Sequence, residues 1–191
     1  MSSKQGYDGY ASAASKSIND SSELANEVEA ASKQLISAIK EKAVFLIGGN
    51  GGSAAMADHM TGELIGRFNK ERKPLPAMCI NCGTSAITCI SNDYGYEDVF
   101  VRQLAAFEGQ KVLVVLFSTS GKSKNVVKCL EYMDRYRIEG ILLTSQSVRV
   151  EAKGVRMIKI REHDTAMIQV VHETIMHYLC QRVDEVMAGE E

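Results

Sequence analysis

Five consecutive apolar residues, Ala43 to Ile47, run directly into Gly48-Gly49-Asn50-Gly51-Gly52-Ser53. A run this short and uniformly apolar reads as a strand buried on both faces, and the glycines turn it into a helix from about Ala54 to Arg67. The alternation then repeats. Ala77 to Asn81 is a strand, Ser85 to Asn92 a short helix and Glu97 to Phe107 a helix. Lys111 to Phe117 is the strongest strand and ends in Ser118-Thr119-Ser120-Gly121. A helix over Asn125 to Tyr136, strands over Gly140 to Thr144 and Val155 to Ile160, and a long closing helix over Thr165 to Met187 complete the pattern. Fully apolar strands alternating with helices predict an α/β fold, a five-stranded parallel sheet flanked by helices on both faces. Pro74 and Pro76 share one connection and break no element. Before the first strand, Leu24, Val28, Leu35, Ile36 and Ile39 recur at helical spacing, with Asp20, Ser21 and Ser22 as capping candidates. Residues 1–42 are therefore expected to form an N-terminal helical extension and residues 43–191 the domain.

Composition narrows the function. Twenty-two Lys and Arg against 24 Asp and Glu leave a net charge of -2, which argues against a nucleic-acid or polybasic membrane partner, whose affinity rests on clustered cations. No apolar run approaches the roughly 18 residues of a membrane span. The stretch from Met1 to Asp20 is polar and Ser/Ala-rich, without a signal-peptide core, so a cytoplasmic location is expected. The five cysteines, Cys79, Cys82, Cys89, Cys129 and Cys180, are odd in number, irregular in spacing and set among apolar neighbours, as reduced, buried thiols would be. Cys79-Ile80-Asn81-Cys82 is formally a CxxC, but no second pair accompanies it, so a plain core strand is expected there rather than a metal or redox site.

In an open α/β sheet, ligands collect beyond the carboxyl ends of the strands. Two such ends lead into helix N-termini, where free N–H groups and the helix dipole favour an anion. One carries Asn50, Gly51, Gly52 and Ser53. The other carries Ser118, Thr119, Ser120 and Ser123, four hydroxyls in six residues, more than helix capping alone requires. Phosphate binding is the expected role, with helix capping alone as the alternative. Gly121-Lys122-Ser123 is not a Walker loop, because Leu116 stands where the first glycine belongs. The glycine turn is not a dinucleotide fingerprint, because the second strand ends without a carboxylate for a ribose. His59 and Glu63 are four apart and share a helix face; Gln169 and His177, eight apart, share another. Glu173 lies on the same line, and spacing does not exclude it. His172 points partly elsewhere, toward packing or surface. Two histidines, a carboxylate and an amide suit a divalent metal such as zinc.

Together these residues resemble the sugar isomerase (SIS) domain family, and more narrowly its phosphoheptose isomerases. The resemblance is carried by GNGGSAAMADHMTGELIGRF (Gly49 to Phe68), SNDYGYEDVF (Ser91 to Phe100), STSGKSKN (Ser118 to Asn125) and IQVVHETIMH (Ile168 to His177). It implies a three-layer αβα sandwich and an aldose–ketose isomerase that converts sedoheptulose 7-phosphate to D-glycero-D-manno-heptose 7-phosphate for surface glycans. It implies that Asn50, Gly51, Gly52 and Ser53 line the substrate loop and that Asn92 and Asp93 contact the sugar. Ser118, Thr119, Ser120 and Ser123 would hold the phosphate. His59, Glu63, Gln169 and His177 match the ligands of one zinc per subunit, Glu63 and His177 also matching base and acid. It further implies a homotetramer with active sites at subunit interfaces. Met167-Ile168-Gln169-Val170 departs from the usual Arg-Ile-Gln-Glu, and Ser145 to Gly154 lacks the usual Gly-Gly turn. These departures leave room for an isomerase of a different sugar phosphate. Non-catalytic sugar-phosphate-binding relatives, replication regulators among them, lose the catalytic carboxylate. This chain keeps Glu63 and both histidines.

Overall fold

The computed structural model describes residues 6–188; residues 1–5 of the expected extension and the last three residues lie outside it. The chain runs α1 (Tyr7–Asp20), α2 (Ala25–Lys40), β1 (Val44–Gly49), α3 (Gly52–Ile65), β2 (Ala77–Cys79), α4 (Thr84–Asp93), α5 (Val99–Ala105), β3 (Val112–Ser118), α6 (Lys124–Tyr136), β4 (Glu139–Ser145), β5 (Val155–Ile160) and α7 (Thr165–Met187). The five strands pair in parallel in the order β2-β1-β3-β4-β5, which is the predicted α/β architecture.

Alternating strand residues divide the core. Phe45, Ile47, Leu113, Val115 and Phe117 face the layer of α2, α3 and α7. Leu46, Val114 and Leu116 face the layer of α5 and α6, with Leu104, Val126 and Leu130. All seven residues of β3 are buried, as its uninterrupted apolar run requires of a central parallel strand.

The N-terminal region forms the expected helical extension, but its helix begins earlier than the apolar spacing marks. The Ser/Ala-rich stretch forms α1, and Ser21 to Leu24 form a 3-10 turn that carries α1 into α2 without a side-chain cap. Ala13, Ala14 and Ser17 give no apolar period to read. Leu24, Val28, Ala31, Leu35 and Ala38 nevertheless enter the same buried cluster as β1 and α7.

His172 on α7 is fully buried, its ring 6.0 Å from that of Phe117. Burial pushes its imidazole down to about 4, so the folded protein carries it neutral. Below the ordinary value of 6.5 the unfolded chain takes up a proton that the native state refuses. Native stability therefore falls as pH drops from 6.5 toward 4, at about 1.4 kcal/mol per unit. Urea unfolding of wild type and His172→Leu at pH 7 and pH 4.5 should show the acid loss shrinking by about 2–3 kcal/mol in the variant.

Candidate functional site

The strand order reverses between β1 and β3: one crossover runs from β1 outward to β2, while the next strands add on the other side. A crevice opens at such a switch point beyond the strand ends. The two loops singled out in the sequence flank it. Gly51 adopts φ +57°, a left-handed conformation suited to glycine, and α3 starts at the next residue. Asn50 and Asn125 lace the two loops together, each amide nitrogen donating to the other's oxygen at 2.9 Å. Tyr96 Oη also donates to Asn50 Oδ1 at 2.9 Å, drawing in the segment after α4.

In the hydroxyl-rich loop, the N–H of Gly121 donates to Ser118 Oγ at 3.1 Å, and that of Lys122 donates to Ser120 Oγ at 3.2 Å. Ser123 occupies the N-cap of α6 but makes no capping hydrogen bond. Its hydroxyl and the first N–H groups of α6 form the kind of helix end that receives an anion. Gly121 has φ +62°, and a Cβ there would sit 2.6 Å from Val148 Cβ.

The second half of the site is built by α3 and α7. Met56, Ala57, Met60 and Leu64 bury one face of α3 and turn His59 and Glu63 toward its flank. On α7, Val171, Ile175, Met176 and Leu179 are buried, leaving Gln169, Glu173 and His177 along one partly exposed line. The two lines meet. Glu63 Oε1 lies 3.1 Å from His59 Nε2, and Glu173 Oε1 lies 2.8 Å from His59 Nδ1 and 3.5 Å from His177 Nε2. The imidazoles of His59 and His177 pack edge to face at 5.2 Å, and Phe68 stacks on His177 at 5.5 Å. Gln169 reaches the start of α3, where a Cβ on Gly52 would fall 2.5 Å from its Nε2. The missing side chain at Gly52 leaves room for the Gln169 amide.

A buried ion pair fixes this meeting. Asp184 on α7 accepts from the N–H groups of Asn69 and Lys70 at 2.6 and 2.7 Å and from Arg72 Nε at 3.0 Å. Arg72 in turn donates to the carbonyls of Glu63, Leu64 and Lys73, at 2.5, 2.9 and 3.0 Å. Burial alone would raise the Asp184 carboxyl; the Lys70 and Asn69 N–H groups and the Arg72 guanidinium outweigh it and hold it below the ordinary carboxylate range.

The structure thus brings the ligand atoms of His59, Glu173 and His177 within 4.8 Å of one another; Glu63 joins them through His59, and Gln169 lies on the same helix line as Glu173 and His177. Asn92 and Asp93 lie exposed at the end of α4, bonded to each other; Tyr96, just beyond them in the chain, is the link to the glycine loop. Asn125, Tyr96 and Arg72 were not singled out in the sequence. Asn125 and Tyr96 fall inside the matching stretches, whereas nothing in the sequence marks Arg72. A cavity of about 240 Å³ at the opposite end of the sheet, lined by Phe107, Lys111, Tyr132 and Glu139 among others, brings together no such set of histidines and carboxylates. Cys79, Cys129 and Cys180 are buried as expected, but Cys82 and Cys89 are exposed, because they lie beyond the end of β2 and on the outer α4 rather than in the core. A separate group, Asp58, Cys79 and Cys82, also converges. There the Asp58 carboxylate and burial push the Cys82 thiol up to about 12, so it is no free thiolate nucleophile at neutral pH.

The SIS domain family profile matches residues 9–145. The chain belongs to the SIS domain family. Within that family its relatives are phosphoheptose isomerases. The one from Campylobacter concisus is 37% identical over 91% of this chain and 93% of its own. That from Geotalea daltonii is 40% identical over 88% of each. The solved structure of a phosphoheptose isomerase from Francisella tularensis superposes with a TM-score of 0.89 at 26% identity, covering 97% of this chain and all of that one. Among the described residues of this SIS protein, no helix is long and apolar enough to cross a membrane.

Proposed function

We propose that the chain is a phosphoheptose isomerase acting on sedoheptulose 7-phosphate, and that Glu63 and His177 carry the proton transfers. The observation that carries this reading is the convergence of Glu63 and His59 from α3 with His177 from the distant α7, beside the crevice between β1 and β3.

Interconverting a ketose and an aldose moves one proton between C1 and C2 and another between their oxygens, through an enediol. Glu63 takes the proton from C1 of the ketose and returns one to C2. His177 gives a proton to the C2 oxygen and removes one from the C1 hydroxyl, so the balance closes. Ser118, Thr119, Ser120 and Ser123 hold the phosphate at the N-terminus of α6. Asn50, Gly51, Gly52, Ser53, Asn92, Asp93 and Gln169 hold the hydroxylated chain between. Gripping the phosphate several carbons from the reaction uses binding energy to orient the reacting end.

The donor set suits a divalent cation, since two imidazoles, a carboxylate and an amide are borderline N/O ligands typical of zinc. His59, Glu63, Gln169 and His177 would hold it. Glu173 would accept from the Nδ1–H of His59, the carboxylate support that fixes a ligating imidazole. When bound, the ion would polarise the substrate oxygens and stabilise developing negative charge. The side chains of His59 and His177 are 41% and 39% exposed in one chain, and α4 contributes no fully buried residue. Both observations support a neighbouring subunit closing each site, within the homotetramer that the resemblance implies. A cytoplasmic setting keeps exposed thiols such as Cys82 and Cys89 reduced.

Incubating purified, zinc-supplemented protein with sedoheptulose 7-phosphate tests the assignment. Aldose 7-phosphate should accumulate, and a chelator should suppress it. Tight substrate binding without turnover would instead identify a sugar-phosphate-binding relative.

A further inference from the structure

We propose that Asp58, Cys79 and Cys82 form a second cation site, for a soft divalent ion such as zinc, that ties α3 to the edge strand β2. Each of the three residues offers one ligand atom, and these atoms lie within 4.8 Å of one another. Cys82 Sγ is 3.0 Å from Asp58 Oδ1. Two sulfurs and one carboxylate oxygen match the ligands zinc takes, with one position left for water. The sulfurs select against magnesium and calcium, which prefer oxygen alone.

The turn that carries the sulfurs is held from both sides. Ile80, between the cysteines, is buried, and its N–H donates to the Ile47 carbonyl at 2.9 Å. Asn81 pairs with the backbone of Gly49 through two hydrogen bonds, at 2.9 and 2.7 Å. The Cys82 N–H returns to the Cys79 carbonyl at 3.3 Å. The cysteines are therefore set in place without the ion, which limits the ordering cost of binding it. Cys79 is buried, while Cys82 and Asp58 are exposed, so an ion has an entry path.

The site shares no residue with the histidine cluster. Asp58 and His59 are neighbours on α3, but Asp58 meets Cys82 whereas His59 meets Glu63 and Glu173. The sequence shows a CxxC without a second pair; the fold supplies the third ligand from another element. An ion here would brace a three-residue edge strand and, through Asn81, the first residues of the glycine turn.

Cobalt(II) titration of metal-free, reduced protein tests the assignment. A thiolate-to-cobalt charge-transfer band in the near ultraviolet should appear in wild type, since a histidine-carboxylate site produces none. Cys82→Ser, which leaves Cys79 as the one sulfur, should cut that band to half or less and weaken binding of the second zinc ion, while isomerase turnover persists. Asp58→Asn, which keeps both sulfurs, should weaken cobalt binding at the same band. Absence of the band in wild type, or its survival at full intensity in Cys82→Ser, overturns the second site and leaves the isomerase assignment untouched.

Discussion

Glu63→Gln should lower isomerase turnover by about 10²–10⁴-fold, the usual contribution of a positioned proton-transfer group. The substitution keeps the side chain's size and leaves the Glu63 carbonyl that Arg72 grips, so the fold should persist and circular dichroism should match wild type. What it removes is a charged oxygen 3.1 Å from His59 Nε2. Because Glu63 is proposed both to take the proton and to hold the metal, the variant should be read with its metal content. If zinc occupancy stays near wild type while turnover collapses, the loss belongs to proton transfer. Turnover within a few-fold of wild type would remove Glu63 from the base role.

Asp184→Ala should destabilise the protein by about 3–5 kcal/mol, because it leaves the Arg72 guanidinium buried without its counter-charge. The side chains of Arg72 and Asp184 are 1% and 2% exposed, so water cannot take the lost partner's place. The variant also strands the N–H groups of Asn69 and Lys70. Denaturant titration measures the loss. Replacing both members with apolar residues should cost much less, since removing a buried pair together avoids the unpaired charge. Because Asp184 titrates below its ordinary value, the stability it confers is present at neutral pH. That stability is lost only as pH falls through the native value, below the window in which His172 acts.

The sheet was legible because β1 and β3 are compact apolar runs with a glycine or hydroxyl cluster after them, while β5 carries Arg156 and Lys159 as an edge strand can. Lys111 to Phe117 has no competing helical reading, and β3 is buried throughout. The helix pair at the site was legible as two separate faces, from the spacings of His59 with Glu63 and Gln169 with His177. That the faces meet was not, since periodicity orders residues along one helix and says nothing of its neighbours. Glu173 remained open for that reason: only the packing of α7 against α3 puts its carboxylate between both imidazoles. Arg72 was silent because a lone arginine in a polar connection, Lys70 to Lys73, reads as solvated surface; its burial follows from Asp184, 112 residues later. Helix α1 was hidden by small residues that bury little surface.

Helices α3 and α7 are pinned at one end of their contact by Asp184 through Arg72 to the Glu63 carbonyl. A slip of even one helical turn, about 5.4 Å, would break that anchor. The register of the reacting groups is thus set by scaffold rather than by substrate. On the proposed reading, diversification toward other sugars is left to the exposed end of α4, where side chains can change without disturbing that alignment or the serines assigned to the phosphate. Evolution on this framework would vary what is recognised while conserving how the proton moves.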